Sequence, residues 1–488
     1  LNTAAGMRFN YADEGRGEVQ VDNQGNIYVV STTQSPDFPT TDGAFQPEWV
    51  NDQDGVLCKL NPQLSQMIWG TYIGGTADDA AYSVKFDTEG YLYACGGTNG
   101  TNFPTTAGTL HPNFMGGTAD GWVAKISPDG SQLVAATYIG TANYDQSYFL
   151  DLDADNNVYI TGQTAGGNYP VSPAGVYSNP NSGNFIHKLS NNLSTTLFST
   201  VIGNGGGQPN LSPSAFLVDK CNKIFLSGWG GNVNGGVSGS TTIGIPTSPG
   251  AFQTTTDGSD FYFLVLDPDA TGLHYATFFG ANGGTGEHVD GGTSRFDKEG
   301  RIYQAVCAGC GSSDLFPTTP GAWSNTNNSS NCNLGAIKFD FEVAPVTADF
   351  VPPIPACAPY TVNFENLSVN ADEYVWNFGD GSLATSVINP THTFDNPGTY
   401  SVQLIAIKPG TCNGQDTISY NVQVASNSII AITNAQLCAG DSPIQLQAAQ
   451  SGGTWSGVGV STNGLFSPEG LPAGEYTVNY SVPTTVPG

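Results

Sequence analysis

The feature that most constrains what this chain can fold into is a loop, Asp37-Phe38-Pro39-Thr40-Thr41-Asp42-Gly43-Ala44-Phe45-Gln46, that returns four more times. The further copies are Asn102-Phe103-Pro104-Thr105-Thr106-Ala107-Gly108, Asn168-Tyr169-Pro170-Val171-Ser172-Pro173-Ala174-Gly175, Gly244-Ile245-Pro246-Thr247-Ser248-Pro249-Gly250-Ala251-Phe252-Gln253 and Leu315-Phe316-Pro317-Thr318-Thr319-Pro320-Gly321-Ala322-Trp323. Between their first prolines (Pro39, Pro104, Pro170, Pro246, Pro317) the steps are 65, 66, 76 and 71 residues. A unit of that length holds several strands, so an object the size of a propeller blade is repeated along the chain.

Each copy has the same surroundings. Upstream, an apolar strand ends in Asp, a short polar turn follows, and a second apolar strand begins, as in Val21-Asp22-Asn23-Gln24-Gly25-Asn26-Ile27-Tyr28 and Phe86-Asp87-Thr88-Glu89-Gly90-Tyr91-Leu92-Tyr93. The same signal starts at Asp153, Asp219 and Asp297. The Asp can bond its own turn backbone, and the Gly or Asn can take positive φ. Downstream come two more strands, as in Asp54-Gly55-Val56-Leu57-Cys58-Lys59-Leu60 and Ile68-Trp69-Gly70-Thr71-Tyr72-Ile73-Gly74. Four short antiparallel strands per repeat predict an all-β chain headed by a β-propeller with five visible blades. Gly 63 and Pro 30, with 21 Tyr and 25 Phe but only 3 Met, agree with many short strands and tight turns, and no convincing helix is present.

The recurring order Asp-x-x-Gly-x-x-Tyr, Phe-Pro-Thr-Thr-x-Gly-Ala-Phe-Gln, Asp-Gly-x-x-x-Lys-Leu and Thr-Tyr-Ile-Gly-Gly resembles the SBBP-type β-propeller repeats of large secreted and surface proteins of Bacteroidota-type bacteria, over residues 1–343. The fourth copy departs from it, with an insertion from Gly230 to Gly244 and Leu266 where the others have Lys59, Lys125, Lys188 and Lys338. Past a linker marked by Pro345, Pro352, Pro353 and Pro355, residues 344–425 resemble a PKD domain, an immunoglobulin-like β-sandwich. The matching stretches are Val362-Asn363-Phe364-Glu365-Asn366-Leu367-Ser368, Tyr374-Val375-Trp376-Asn377-Phe378-Gly379-Asp380-Gly381, Asn389-Pro390-Thr391-His392-Thr393-Phe394 and Pro397-Gly398-Thr399-Tyr400-Ser401-Val402. Its Trp-Asp-Phe-Gly-Asp-Gly hallmark departs only at Asn377. Trp376 and Phe378 are expected to point into the core, with Tyr400, Val402 and Leu404 on a later inward face. Residues 426–488 are similar to a further Ig-like sandwich, an incomplete one, with strand signals at Leu437-Cys438, Ile444-Gln445-Leu446, Thr454-Trp455, Leu465-Phe466 and Tyr476-Thr477-Val478-Asn479-Tyr480.

Two readings of the chain ends stay open. Gly6 to Asp13 can be laid over Met67 to Gly74 as a fourth strand, while the fifth repeat leaves for the next domain after Asp340, so the N-terminal segment is expected to complete the last blade and close a ring of five. In the rival reading, blades upstream of Leu1 supply the missing strand. A chain that starts at Leu1 rather than Met and stops at Gly488 reads as a piece of a longer protein. The balance of 13 Lys+Arg against 41 Asp+Glu, net −28, repels nucleic acid and anionic membranes. No stretch is apolar enough for a membrane span.

Nine cysteines cannot all pair internally. Cys357 and Cys412 flank the PKD-like sandwich, and a bridge between them is expected. Cys332 is expected to pair with Cys307 or Cys310; zinc at Cys307-x-x-Cys310 lacks a second ligand pair. Cys58, Cys95 and Cys221 read as small buried apolar residues, and Cys438 as pairing beyond Gly488. Asp151, Asp153, Asp155 and Asn157 alternate in a spacing that can offer oxygens to a structural calcium, against the preferred reading of Asp153 as the turn residue alone. His111, His187, His274, His288 and His392 show no metal-ligand spacing. No nucleophile elbow, phosphate loop or paired-carboxylate motif occurs, so no catalytic residue and no cofactor is expected. Phe45, Tyr177, Phe252 and Trp323 in the repeat loops can stack on sugar, although blade packing is the preferred reading.

The expectation is a non-enzymatic secreted or cell-surface protein, its propeller a recognition or adhesion head on a stalk of sandwich domains. Its partners would be other cell-surface or extracellular proteins, or glycans. The resemblance implies adhesion, surface-matrix or gliding-type roles and export by a type IX-like route. The alternative is the polysaccharide-binding accessory region of a larger secreted enzyme.

Overall fold

The computed structural model describes residues 2–481 apart from 12, 51, 232–239, 282, 284–285, 290–293, 344, 410, 426–435 and 449–451. The chain divides into two units, residues 1–345 with 411–413 and residues 346–410 with 414–488. Among the described residues there is no α-helix.

The first unit holds one antiparallel sheet per repeat. Blade one is β1 (Glu18–Val21), β2 (Ile27–Thr33), β3 (Asp54–Leu60) and β4 (Met67–Ile73); blade two is β5 (Asp79–Phe86), β6 (Leu92–Thr98), β7 (Asp120–Ile126) and β8 (Leu133–Ile139). Blade three is β9 (Asp145–Leu152), β10 (Val158–Thr164), β11 (Asn184–Leu189) and β12 (Thr196–Ile202); blade four is β13 (Ser212–Val218), β14 (Ile224–Trp229), β15 (Phe261–Leu266) and β16 (Leu273–Phe279). The fifth sheet has three strands, β17 (Ser294–Phe296), β18 (Ile302–Ala308) and β19 (Asn333–Phe339). The first strands of consecutive blades pack on one another, so β1, β5, β9, β13 and β17 are the inner strands.

The recurring residues explain the repetition locally. In every blade the turn Asp accepts two backbone N–H bonds on Oδ1: Asp22 from Gln24 and Asn26, Asp87 from Glu89 and Tyr91, Asp153 from Asp155 and Asn157, Asp219 from Cys221 and Lys223, Asp297 from Glu299 and Arg301. The third residue after it is left-handed each time: Gly25, Gly90, Asn156, Asn222 and Gly300. The repeat lysine leans over the strand tyrosine toward the same Asp. Lys59 lies 4.9 Å from the Tyr28 ring centre and 3.7 Å from Asp22, Lys125 4.8 Å from Tyr93 and 3.8 Å from Asp87, Lys188 4.8 Å from Tyr159 and 3.1 Å from Asp153. In blade four, Leu266 replaces the lysine and Phe225 the tyrosine, and both are fully buried.

The N-terminal segment does not form the expected fourth strand of the last blade. Residues 2–11 and 13–16 instead run among the inner strands. Asn2 donates to the Tyr82 hydroxyl (3.0 Å), Phe9 stacks on Tyr144, Asn10 bonds Tyr148 and Gln163, Arg16 donates to Pro213 O and Ser212 Oγ, and Tyr11 meets the His288 ring edge-on. Gln53, just before β3, holds Asn2 from blade one. The segment therefore reaches all five blades. The physical reason is its polarity: Asn10, Asp13 and Arg16 carry donors and acceptors that an edge strand would leave in water, but here they saturate a buried network in which Arg16 pairs with Asp13 at 2.6 Å. Among the described residues β19 has no outer neighbour. Positions 232–239 of the blade-four insertion lie outside the described residues.

In the second unit, β20 (Ala356–Cys357), β22 (Glu373–Asn377), β24 (Gly398–Ile407) and β25 (Gln415–Ala425) form one sheet, and β21 (Tyr360–Asn363) with β23 (Thr391–Phe394) a second. Their shared core is Phe350, Phe364, Trp376, Phe378, Phe394, Val402, Leu404, Val422 and Val424, with Tyr400 half-buried against it, as the alternation predicts. Beyond it, β26 (Ile444–Gln445) pairs with β28 (Leu465–Phe466), and β27 (Thr454–Gly457) with β29 (Val478–Ser481), with Trp455 buried against Tyr480.

The cysteine pairing differs from expectation. Cys412 is bonded to Cys221, 191 positions away, and not to Cys357. Cys357 lies opposite Ala425 at one end of β25, whereas Cys412 sits in the hairpin before Gln415 at the other end. Eleven extended residues separate those ends by about 35 Å, far beyond disulfide reach. Cys221 is accordingly no buried apolar residue. Cys332 takes Cys310 as its partner, one of the two expected, which also removes Cys310 from any zinc site. Cys58 and Cys95 are buried thiols, and Cys438 is exposed and unbonded.

Candidate functional site

Two sets of side chains stand apart from the packing that the repeats share. The first lies on the loop between β18 and β19. Its residues 311–331 are rich in Ser, Thr, Asn and Gly, and the Cys310–Cys332 bridge ties its base. Asn327 ties it further, donating from Nδ2 to Gly309 O (2.6 Å) and Asn331 O (2.8 Å) while its backbone N–H meets Asp314. From this frame Trp323 projects fully into solvent, with Leu315 and Leu334 also exposed in the same blade. The other candidate aromatics behave differently. Tyr177 packs beside the blade-three and blade-four core, Phe252 stacks on Phe279 and meets Phe339 edge-on although 60% exposed, and Phe45 is half-buried with its N–H on Gly130 O. Three of the four thus lock structure. Trp323 does not.

The second set is a series of buried acids at the blade interfaces. Asp54 opens β3 and Asp79 opens β5; Asp120 opens β7 and Asp145 opens β9. All four are fully buried. In each pair a loop glycine passes between the partners. A Cβ on Gly74 would run into Asp54 Oδ1 and Asp79 Oδ2, and one on Gly140 into Asp120 Oδ1 and Asp145 Oδ2. Each carboxylate turns one oxygen to nearby donors: Asp54 Oδ2 to Val50 N, Asp79 Oδ2 to Gly75 N, Asp120 Oδ2 to Met115 N, Asp145 Oδ2 to Thr141 N and Oγ1. Every Oδ1 is buried without a hydrogen-bond partner. Burial pushes Asp54 up to about 6, Asp79 and Asp120 to about 7 and Asp145 to about 8, opposed by the neighbouring Thr98 hydroxyl at Asp79 and by the Thr164 and Thr141 hydroxyls at Asp145. Asp260 and Glu287 repeat the arrangement between blades four and five, around Gly280. Linear motifs miss these pairs because the partners belong to different repeats. The signal that finds them is the Asp at the start of the third strand, taken together with the Asp that follows Tyr-Ile-Gly.

The calcium pattern expected at Asp151, Asp153, Asp155 and Asn157 does not assemble. Asp153 is occupied by its own turn and by Lys188. Asp151 Oδ2 accepts Val218 N of the next blade, much as Glu18 accepts Val84 N, and Oδ1 faces Lys85 at 3.6 Å; Asp155 is exposed. Strand alternation explains the failure, since the four residues span a strand end and a turn. Among the described residues no group of three or more His, Cys, Asp or Glu is placed to hold a metal. The histidines are dispersed. His187 lies between Tyr169 and Thr196, His274 beside Asp267, His288 bridged to Cys307, and His392 stacked on Phe378 with Nε2 2.7 Å from Asp380. A groove of about 330 Å3 opens beside Thr106, Thr109, Lys125, Val134, Asn191 and Asn192, but its lysine is engaged with Asp87.

The fold is that of a β-propeller followed by an Ig-like sandwich, a combination that fits a surface or extracellular protein. Residues 68–104 match the SBBP family, described as a beta-propeller repeat, and residues 342–424 match the PKD domain family. The chain thus carries an SBBP-type beta-propeller repeat and, after it, a PKD domain. No curated protein sequence matches it. Similar solved structures include a polysaccharide lyase, a PL25 ulvan lyase bound to a GlcA(1-4)Rha3S saccharide, at 13% identity and TM-score 0.35 over 86% of this chain and 93% of that one. A protein of unknown function from Dyadobacter fermentans is similar at 10% identity and TM-score 0.33, over 85% and 96%. A glucose dehydrogenase is similar at 11% identity and TM-score 0.24, over 60% and 92%.

Proposed function

We propose that this chain is a non-enzymatic recognition region of a surface or extracellular protein, and that the disulfide-tied loop of blade five is its binding element. The observation that carries the reading is Trp323, an aromatic side chain fully exposed on a loop with one covalent and three hydrogen-bonded anchors. Exposing an indole costs solvation free energy, and a rigid aromatic among Ser, Asn and Gly combines a low-entropy anchor with adaptable polar contacts. Two disulfides and a PKD domain fit an oxidising, extracellular setting. No helix among the described residues is long and apolar enough to cross a membrane. The strongly shifted acids support the absence of catalysis, because they are sealed inside blade interfaces where substrate does not reach them.

The partner is a glycan or an extracellular protein, and adhesion is the role that fits a propeller without chemistry. The same tryptophan favours a second reading, a polysaccharide-binding accessory region of a larger secreted enzyme, since pyranose rings stack on exposed indoles. A glycan array and a panel of extracellular-matrix proteins, probed with the purified chain and its Trp323→Ala variant, separate the two. Saturable binding lost in the variant with an unchanged melting temperature supports the loop as the site, and a polymer ligand points to the second reading. Turnover of glycosidase, esterase, phosphatase or peptidase substrates by the chain would overturn the non-enzymatic reading, and undiminished binding by Trp323→Ala would move the site elsewhere.

A further inference from the structure

We propose that blade five holds a vacant strand slot, between the outer edge of β19 and the loop at 316–324, and that an extended segment of another protein fills it as the fourth strand of the blade. The other four blades show what such a slot grips. Their fourth strands, β4, β8, β12 and β16, end in a small residue, then Thr, then an aromatic or β-branched residue, then Ile or Phe: Gly70-Thr71-Tyr72-Ile73, Ala136-Thr137-Tyr138-Ile139, Ser199-Thr200-Val201-Ile202 and Ala276-Thr277-Phe278-Phe279. These four residues are buried in every blade. Each fourth strand lies between two backbones, the third strand of its own sheet on one side and the recurring proline loop on the other. The N–H of Thr41, Thr106, Ser172 and Ser248 in that loop donates to the carbonyl of the small residue at 3.0–3.1 Å. In blades one, two and four the same loop hydroxyl accepts the N–H of the small residue at 3.0–3.2 Å. The strand Thr hydroxyl in turn accepts the N–H of Gln46, His111 and Gln253.

Blade five has both walls and no strand between them. Counted from Phe316 and Phe38, Thr319 and Ser324 stand where Thr41 and Gln46 stand in blade one. The loop keeps its shape, since Ala322 N donates to Thr319 O as Ala44 N does to Thr41 O and Ala251 N to Ser248 O. The Cys310–Cys332 bridge and Asn327 fix its base beside the start of β19. Yet among the described residues the Thr319 N–H, the Thr319 hydroxyl and the Ser324 N–H make no hydrogen bond, and both residues are exposed. Across the slot Leu334, Ala336 and Lys338 alternate as exposed residues along β19. An open sheet edge recruits an extended peptide through main-chain hydrogen bonds, and the places for alternate side chains set its sequence. Here the loop adds a second row of donors and acceptors, so the occupant is gripped along both edges and its sequence is the one the complete blades use. No spare copy exists within the chain. Thr followed by Tyr, Val or Phe and then by Ile or Phe occurs only at Thr71, Thr137, Thr200 and Thr277, each already used in its own blade. The N-terminal residues that imitate a fourth strand, Met7 to Tyr11, are engaged at the inner strands. The slot uses backbone groups and Thr319 and not the Trp323 indole, so the proposal stands apart from the reading of that side chain as a binding residue.

A synthetic peptide of residues 131–141, the blade-two fourth strand with its flanks, tests the proposal on the full chain. Carrying a fluorophore at its N-terminus, it is expected to bind one to one, and about tenfold more tightly than the same residues in scrambled order or than its Ala136→Pro version, which lacks the N–H that meets the loop hydroxyl. Hydrogen exchange should slow at 316–324 and 333–339 when the peptide is bound, with the other four blades unchanged. In the chain, Thr319→Val removes an exposed hydroxyl and should weaken the peptide several-fold at an unchanged melting temperature. Trp323→Ala should bind the peptide as the wild type does, so failure of the slot and failure of the Trp323 reading are seen separately. The wild-type measurements stand whether or not a variant folds. Absence of binding, equal binding of the scrambled peptide or protection confined to other blades overturns the proposal. So does a chain that sediments as a dimer with its β19 amides already protected, which would make a second copy the occupant.

Discussion

His187 lies inside β11 with Nδ1 2.8 Å from the Tyr169 hydroxyl and Nε2 2.9 Å from Thr196 Oγ1, and burial lowers it from the usual imidazole range to about 3. The folded state thus holds it neutral where the unfolded chain would take up a proton. Stability tied to this residue is complete above the unfolded value of about 6.5 and falls as pH drops through it toward 3. Relative to His187→Gln, the wild-type chain is expected to lose about 2 kcal/mol between pH 7.5 and pH 5, at roughly 1.4 kcal/mol per unit once the unfolded histidine is charged. Urea titrations of both proteins at the two pH values check it, and a constant difference would refute it. Single residues were also the scale at which the sequence was most legible. The turn aspartates can be read because their partners lie two and four positions away, and blade four keeps its hairpin although Leu266 and Phe225 replace the lysine and tyrosine together. Asp79 was not legible. Its partner Asp54 lies 25 positions away in another repeat, and nothing local distinguishes it from Asp78 beside it.

β19 is the element with the least protection. Its outer edge has no neighbour among the described residues, and Leu334 on it is 83% exposed. An apolar, unpaired edge is a template for strand addition. Leu334→Lys is expected to reduce concentration-dependent association, seen by light scattering, with little change in melting temperature; equal association in both proteins would mean that the edge is already covered. The loop leading into β19 depends on its bridge. Closing 22 residues between Cys310 and Cys332 is worth about 3 kcal/mol in the chain-entropy model. The Cys310→Ser/Cys332→Ser variant should lose stability on that order and also lose whatever ligand Trp323 holds, which an undiminished binding isotherm would contradict. The PKD sandwich was legible as an element because its Trp376, Phe378, Val402 and Leu404 alternate within short strands. The 191-residue reach from Cys221 to Cys412 was not, since no local pattern encodes it.

At the scale of the molecule, the five-bladed architecture follows from the repeat, but the means of holding it together does not. The first residues imitate a fourth strand in their alternation of Met7, Phe9 and Tyr11, and only their burial among five inner strands shows what Asn10, Asp13 and Arg16 are for. Arg16 is buried, paired with Asp13, laid 4.5 Å over the Tyr148 ring and bonded to Pro213 and Ser212. Arg16→Met leaves Asp13 an uncompensated buried charge and should cost about 3–5 kcal/mol, and Asp13→Asn/Arg16→Met should lose less than Arg16→Met alone. Chemical denaturation of the three proteins decides it, with equal losses counting against the pairing. The same segment also sets an order of events. It is made before the blades that receive it, and the backbone carbonyl that Arg16 bonds arrives 197 residues later, so a growing chain carries Arg16 and Asn10 donors without their native acceptors until blades three and four exist. The hub of the wheel is threaded before the spokes are cut, and any machinery that handles this chain before that moment meets it with its centre open.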